Sequence, residues 1–160
     1  MLDFYYYRAI GLYQLGMKEE ALATYRKATQ QITSGSNTEM VSDIYTAMGD
    51  LYHEEGNAEQ AYLCYDSALV YNPSNILVLN NYAYYLSVEG KKLKKAYSMS
   101  KKAIEAEPDN ATYLDTFGWI LYLQGKAADV VNSISTGSNA SSENINQVAS
   151  SVSNILKLFK

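Results

Sequence analysis

The sequence predicts an all-α fold built from helical repeats. Residues 71–90, YNPSNILVLNNYAYYLSVEG, and residues 106–125, AEPDNATYLDTFGWILYLQG, share Pro, Asn, Leu, aromatic, small and Gly positions in register, 35 residues apart. A repeat of this length is typical of solenoids and other arrays, not of a domain built around one active site. Only two prolines occur in the 160 residues, which favours uninterrupted helices.

Each copy is predicted to be the first helix of a helix-turn-helix unit. Asn75 and Asn110 stand where an N-cap would begin a helix, and Gly90 and Gly125 stand where it would end. Between the copies lies a segment with apolar residues at three- and four-residue spacings, which predicts an amphipathic second helix. These residues are Leu93, Ala96, Met99, Ala103 and Ile104.

The composition is that of an ordinary folded protein, with 48% hydrophobic residues, 19% charged residues and a formal net charge of −4. Neither sign of charge forms a long run, so we expect no nucleic-acid partner. We also expect no membrane span, because no stretch approaches the roughly 18 apolar residues that one needs. The first residues, MLDFYYYRAIG, lack the pattern of a secretory signal. The location is therefore either the cytoplasm or, if a signal has been removed, the cell envelope.

The repeated pattern resembles the tetratricopeptide repeat, in which small residues let two helices touch while aromatic residues fill the gaps. The second copy matches best, with Tyr45, Met48, Gly49, Tyr52, Gly56, Ala61, Tyr65, Ala68 and Pro73 in register. The resemblance implies a right-handed α-solenoid. The third and fourth copies look similar to those of bacterial tetratricopeptide proteins, including envelope lipoproteins.

The predicted organisation follows the four copies. Repeat 1 occupies residues 2–35, a spacer and repeat 2 residues 36–75, repeat 3 residues 76–110, repeat 4 residues 111–136, and a loop with an amphipathic helix residues 137–160. The second helix of repeat 4 departs from the pattern, and repeat 3 has one extra residue in its GKKLKK turn. The start at LDFYYYRAIG, already inside a helix, favours a longer parent protein.

The last segment carries a narrow apolar stripe, at Ile145, Val148, Val152, Ile155 and Phe159. We expect this helix to cap the exposed end of the last repeat. Two alternatives remain open from the sequence: self-association through residues 143–159, which would give a homo-oligomer, and a lipid-facing helix.

Few residues could support catalysis. The chain has one histidine, His53, and one cysteine, Cys64, so it can form neither a two-histidine zinc site nor a cysteine cluster. A Cys64–His53 nucleophile pair would join different helices without an oxyanion site. No glycine-rich phosphate loop occurs. We predict no enzyme activity, no metal and no cofactor.

The resemblance implies that the first helix of each repeat lines a concave groove that binds peptide segments. Aligning the copies places aromatic, acidic and amide side chains in that groove. The predicted peptide-binding residues are Tyr6, Tyr13, Asp43, Asp50, His53, Asn80, Tyr84, Asp115, Trp119 and Tyr122. Each aromatic residue could instead be partly buried against a neighbouring helix.

The predicted groove is acidic and aromatic. No Lys or Arg falls in it, so the basic clamp that holds a terminal carboxylate in some tetratricopeptide proteins is missing. We therefore predict a protein or peptide partner that is basic, aromatic or neutral and is not held by its C-terminal carboxylate. The alternative is an architectural segment of a longer scaffold with no groove ligand.

Overall fold

The computed structural model describes residues 1–125, and the fold in this part is an all-α helical repeat, as predicted. Its helices are α1 (Leu2–Gln14), α2 (Lys18–Thr29), α3 (Thr38–Glu54), α4 (Ala58–Tyr71), α5 (Ile76–Val88), α6 (Leu93–Ala106) and α7 (Ala111–Leu123). The described residues contain no strand. The predicted second helix of repeat 4 and the predicted loop and helix at residues 137–160 lie outside the described residues. The chain divides into two compact units, Met1–Val78 and Leu79–Lys160.

In the first unit, α1 pairs with α2, α3 pairs with α4, and α2 also packs against α3. Alanines buried to 0% exposure lie where helices pair, among them Ala9, Ala21 and Ala61. Gly49 has the same role on α3, because a Cβ atom built there would lie 2.5 Å from Cε1 of Tyr65. The predicted packing pattern of small residues against aromatic residues is therefore present in this unit.

Repeats 1 and 2 are joined by contacts of basic side chains from α2. The Arg26 guanidinium donates from Nε and Nη2 to the Tyr52 hydroxyl, at 2.9 and 2.7 Å, and lies 5.4 Å from the centre of that ring. Lys18 forms a 2.7 Å ion pair with Glu54 at the end of α3. Arg26 thus combines hydrogen bonding with a cation–π contact across the repeat boundary.

The helix ends follow the predicted local signals. Asn75 accepts a hydrogen bond from the Val78 backbone N–H at 3.3 Å, and Asn110 accepts from the N–H groups of Thr112 and Tyr113. Gly90 and Gly125 have φ values of 67° and 69°, a conformation that ends a helix and that side chains disfavour. Both N-cap predictions and both glycine stops are confirmed.

The extra residue of the third turn is accommodated by an unusual backbone conformation at Lys92. This residue precedes α6 and has φ 46° and ψ 44°, in the left-handed region. It is the one non-glycine residue with positive φ in the described part of the chain. The longer turn therefore places a lysine where glycine would be less strained.

In the second unit, α6 packs against α7. The rings of Tyr97 and Phe117 meet at 5.6 Å, and the side-chain amide of Gln124 donates to the Leu93 carbonyl at 3.1 Å. Ala96 and Ala103 are buried on α6. Their burial confirms the amphipathic helix that the three- and four-residue spacing predicts.

Candidate functional site

The first helices of repeats 1 and 2 meet at a polar contact between two predicted site residues. The Tyr6 hydroxyl on α1 donates to Oδ2 of Asp43 on α3 at 3.4 Å. Tyr6 is half-buried and Asp43 is exposed. The predicted site residues of α1 and α3 are together called the first-helix surface below; they are Tyr6, Tyr13, Asp43, Asp50 and His53.

Asp43 is held from its other side by the residue that caps α5. Asn75 donates from Nδ2 to Oδ1 of Asp43 at 3.3 Å and to Oγ of Ser42 at 3.0 Å. Partial desolvation of the carboxylate raises the pKa of Asp43, while the hydrogen bonds from Tyr6 and Asn75 act in the opposite direction. The surface therefore carries an oriented carboxylate that is harder to ionise than usual.

A second predicted tyrosine lies further along the same side of α1. Tyr13 lies seven residues after Tyr6, on the same side of α1, and is 43% exposed. Beneath them Tyr25 of α2 is buried, and burial raises its pKa to about 12, with further contributions from Tyr6, Tyr13 and Asp43. Tyr25 thus lies within electrostatic range of Tyr6, Tyr13 and Asp43.

Asp50 has a structural contact as well as a place on the first-helix surface. Its Oδ1 atom accepts a 2.6 Å hydrogen bond from the hydroxyl of Tyr65, the buried ring that packs over Gly49. Both Asp50 and His53, three residues later on α3, are half-buried. Asp50 is thus tied to the core of repeat 2, whereas Asp43 points toward the neighbouring repeat.

In the second unit, the two predicted residues of α5 differ in exposure. Tyr84 is 45% exposed, and its ring meets that of Tyr85 edge-on at 5.5 Å. Asn80 is only 4% exposed, and among the described residues its side-chain oxygen accepts no hydrogen bond. Tyr84 therefore offers an accessible ring, whereas Asn80 offers a buried amide with an unused acceptor.

The predicted residues of α7 form an aromatic pair beside a carboxylate. Trp119 and Tyr122 stack with their centres 5.7 Å apart, and both are half-buried. Asp115, one helical turn before Trp119, is exposed. The same types of group, aromatic rings and a carboxylate, thus occur on the first helices of both units.

Sequence patterns did not indicate the contact of Asn75 with Asp43. The sequence identifies Asn75 only as a helix cap, but this residue also orients Asp43 across a sequence separation of 32 residues. The contact leaves no local signal, because it joins segments that only the stacking of repeats brings together.

The described residues offer no evident catalytic group. Cys64 is buried, and desolvation raises the pKa of its thiol to about 11, so the reactive thiolate is scarce at neutral pH. Within residues 1–125 no cluster of three His, Cys, Asp or Glu side chains could hold a metal ion. In the same range no helix has both the length and the apolar character for crossing a membrane.

Comparison with known proteins adds a family and two similar structures. Residues 42–75 match the family model of the tetratricopeptide repeat. Among solved structures, the PilF protein of Pseudomonas aeruginosa is similar with a TM-score of 0.69 and 22% identity, covering 98% of this chain and 68% of that one. MamA is similar with a TM-score of 0.71 and 12% identity, covering 98% of this chain and 81% of that one. No curated protein matched.

The family match and the two structural similarities agree with the helix pairs, small-residue contacts and helix-ending glycines described above. The family match falls on the copy whose residues fit the repeat pattern best, and the structural similarity extends over nearly the whole chain. Residues 42–75 are therefore similar to a tetratricopeptide repeat, and the described part of the chain has an all-α helical-repeat fold.

Proposed function

We propose that this protein is a non-catalytic protein-interaction module that binds a partner segment along the first helices of its repeats. Tetratricopeptide repeats indicate protein–protein interaction in general. The contact that supports the finer proposal most is the one between Tyr6 and Asp43, at 3.4 Å. It brings a ring and a carboxylate from successive repeats to one surface, beside the exposed ring of Tyr13.

The chemistry of this surface favours a basic or aromatic side chain in the partner. Tyrosine rings attract a cation over their faces, and an oriented carboxylate pairs with it at the edge. Asp43 is oriented by Tyr6 and Asn75 yet remains exposed, so it can accept a hydrogen bond from a bound ammonium or guanidinium group. A terminal carboxylate of the partner would instead be repelled by Asp43.

The second unit supports the same proposal by itself. Tyr84 exposes nearly half of its side chain, and Asp115 lies one turn from the Trp119–Tyr122 pair. Aromatic residues of this kind are frequent anchors in interfaces because they bury a large area with few rotatable bonds. The buried acceptor of Asn80 would gain a partner if a bound backbone N–H reached it.

The absence of catalysis is part of the proposal. A protonated, buried thiol at Cys64 and a histidine on another helix do not form an activated nucleophile. A binding surface of tyrosines, carboxylates and amides needs no such group.

A peptide panel tests the proposal from the partner's side. Fluorescence polarisation would compare labelled peptides in matched sets, in which Lys or Arg is replaced by Glu, and in which the C-terminus is a free acid or an amide. We expect micromolar binding, about −8 kcal/mol, that prefers the basic and aromatic peptides and ignores the terminal group. Equal binding of acidic and basic peptides would contradict the charge argument. If no peptide bound, the architectural alternative would replace the proposal.

A further inference from the structure

The side chain of Asn75 has two roles, because its amide group bonds to two helices at once. Its Oδ1 atom accepts from the Val78 backbone N–H at 3.3 Å, at the start of α5. Its Nδ2 atom donates to Oδ1 of Asp43 at 3.3 Å and to Oγ of Ser42 at 3.0 Å, both on α3. A backbone N–H can only donate and an ionised carboxylate can only accept, so these partners fix which end of the amide faces which helix.

The turn between α4 and α5 holds Asn75 in place. The Asn75 backbone N–H donates to the Asn72 carbonyl at 3.1 Å, and the Asn72 side chain accepts from the Ser74 backbone N–H at 3.1 Å. Pro73, the second residue of this turn, has a fixed φ that favours the turn conformation. From the side of α3, the buried hydroxyl of Ser42 holds the amide nitrogen. The position of Asn75 is therefore fixed by both its backbone and its side chain.

The equivalent cap of α7 indicates that capping alone does not require the bond to Asp43. Aligning the copies pairs Asn75 with Asn110. The same alignment pairs Asp43 with Leu77, whose side chain has no acceptor. Asn110 also caps its helix with its oxygen, but its amide nitrogen donates to Oε2 of Glu107 at 2.8 Å. Because a cap needs only the oxygen, the amide nitrogen of such an asparagine is available for a second role.

We propose that Asn75 is a positioning residue of the first-helix surface, which holds the Asp43 carboxylate in the orientation that receives a basic side chain of the partner. This inference rests on the proposed function. Tyr6 bonds to the other carboxylate oxygen at 3.4 Å, so the two bonds together restrict the rotation of the carboxylate. An acceptor that is already oriented loses less freedom when a ligand binds. The first turn of one repeat thus becomes part of the binding surface of the repeat before it.

The groups around Asp43 give this role a measurable sign. Burial raises the pKa of Asp43 most, and the charge of Glu39 on the same helix raises it further, whereas the hydrogen bonds from Tyr6 and Asn75 lower it. Tyr25 of α2 also lies within electrostatic range, but its pKa of about 12 keeps it neutral where a carboxyl group titrates. The raised pKa of Tyr6 keeps that hydroxyl neutral as well. Loss of the Asn75 bond should therefore raise the pKa of Asp43.

Asn75→Ser separates the two roles, because serine caps a helix as well as asparagine but has no amide nitrogen. NMR detection of the Asp43 carboxyl carbon in the free protein should give a higher titration midpoint in this variant than in wild type. Site-resolved signals keep the titration of Glu39 apart. Asn57→Ser is the matched control, because Asn57 caps α4 by accepting from the Gln60 N–H at 3.2 Å and is not among the groups that bond to Asp43. An unchanged midpoint in Asn75→Ser would overturn the proposal.

A double-mutant cycle tests the consequence for binding, with a basic, aromatic peptide of the panel at mildly acidic pH. Asn75→Ser should weaken binding by up to about fivefold, the limit set by the charge pair itself, and should have no further effect in an Asp43→Ala background. An equal loss in both backgrounds would overturn the proposal, because Asn75 would then act through the fold and not through Asp43. So would an unchanged affinity in Asn75→Ser. Failure of wild type to bind any peptide would instead contradict the proposed function, whereas an unchanged NMR midpoint contradicts the role of Asn75 alone.

Discussion

At the residue scale, the packing of repeat 2 depends on the missing side chain at Gly49. Even the methyl group of Gly49→Ala would meet the Tyr65 ring at 2.5 Å, and that ring is buried and bonded to Asp50. We expect Gly49→Ala to lower the free energy of unfolding by about 1–3 kcal/mol, and Gly49→Leu by more. Urea titration followed by circular dichroism would measure both. Gly11→Ala is the control, because a Cβ atom at Gly11 would meet nothing within 4 Å. A Gly49→Ala midpoint equal to that of wild type would contradict the packing account.

The ionised carboxylate of Asp43 should lower the stability of the fold while it strengthens the binding of a basic peptide. Its pKa is raised in the folded state, mainly by desolvation, so protonated Asp43 stabilises the fold and this contribution is lost as pH rises through the raised pKa. Asp43→Asn should therefore be at least as stable as wild type at pH 7 while binding a basic peptide less well. Thermal melts at pH 7 would measure the first effect. A clearly lower melting temperature would show that the charged carboxylate stabilises the fold.

The same pKa predicts how binding depends on pH. Affinity for a basic peptide should fall on acidification as Asp43 takes up its proton, beginning at a higher pH than an ordinary aspartate would give. Peptide titrations across the mildly acidic range would measure this change. In Asp43→Asn this part of the pH dependence should disappear, and its persistence would assign it to another carboxylate.

At the element scale, the ends of the helices determine much of the fold, and they are the part that the sequence predicts best. Asn110 accepts two backbone N–H groups at the start of α7. Asn110→Ala should lower the free energy of unfolding by about 1 kcal/mol, measured by chemical denaturation. Asn110→Ser retains a capping acceptor and should recover most of the loss. If both variants unfolded with the same free energy as wild type, the prediction would be wrong, and water would satisfy these N–H groups in place of Asn110.

The third turn should tolerate a more favourable residue. Lys92 adopts φ 46°, which is strained for a side chain but not for glycine. Lys92→Gly should therefore increase stability by about 1 kcal/mol, read as a higher melting temperature. Lys91→Gly, one residue earlier, is the control and should give no gain, since positive φ in this part of the chain is confined to Lys92 and four glycines.

What the sequence could predict follows from the range of the interactions. Caps, glycine stops and the amphipathic spacing of α6 depend on residues within about one turn of each other, so they are visible as patterns. By contrast, the hydrogen bond from Asn75 to Asp43 joins residues 32 positions apart, and the contact of Arg26 with Tyr52 joins residues 26 positions apart. Such contacts depend on rotamers and on the angle at which repeats stack, which no spacing rule specifies.

For the candidate site, alignment predicts which helices carry the side chains but not how exposed each one is. Aligning the repeats selected side chains of the first helices, and the contact of Tyr6 with Asp43 agrees with that selection. Alignment could not tell that Asn80 is buried while Tyr84 is exposed, because the two lie on neighbouring parts of one helix and differ in what covers them.

At the scale of the whole molecule, the account assigns partner binding to side chains of the first helices in each unit. In the first unit, Tyr6 and Asp43 come from successive repeats and their polar atoms lie 3.4 Å apart. In the second unit, Tyr84 is exposed and Trp119 stacks on Tyr122. Substitutions in one unit therefore measure the contribution of that unit to binding.

The most direct measurement is a calorimetric titration of one basic, aromatic peptide from the panel into paired variants. Tyr13→Ala should weaken binding by up to about thirtyfold, as for an anchor worth roughly 2 kcal/mol. Phe4→Ala removes another exposed ring of α1, one that packs on Tyr5 outside the predicted site, and should leave binding unchanged. Asp43→Asn should weaken it by up to about fivefold, since exposed charge pairs contribute roughly 1 kcal/mol or less, while Asp66→Asn on α4 should have no effect. Equal losses in Tyr13→Ala and Phe4→Ala, or none in either Tyr13→Ala or Asp43→Asn, would contradict binding along the first helices.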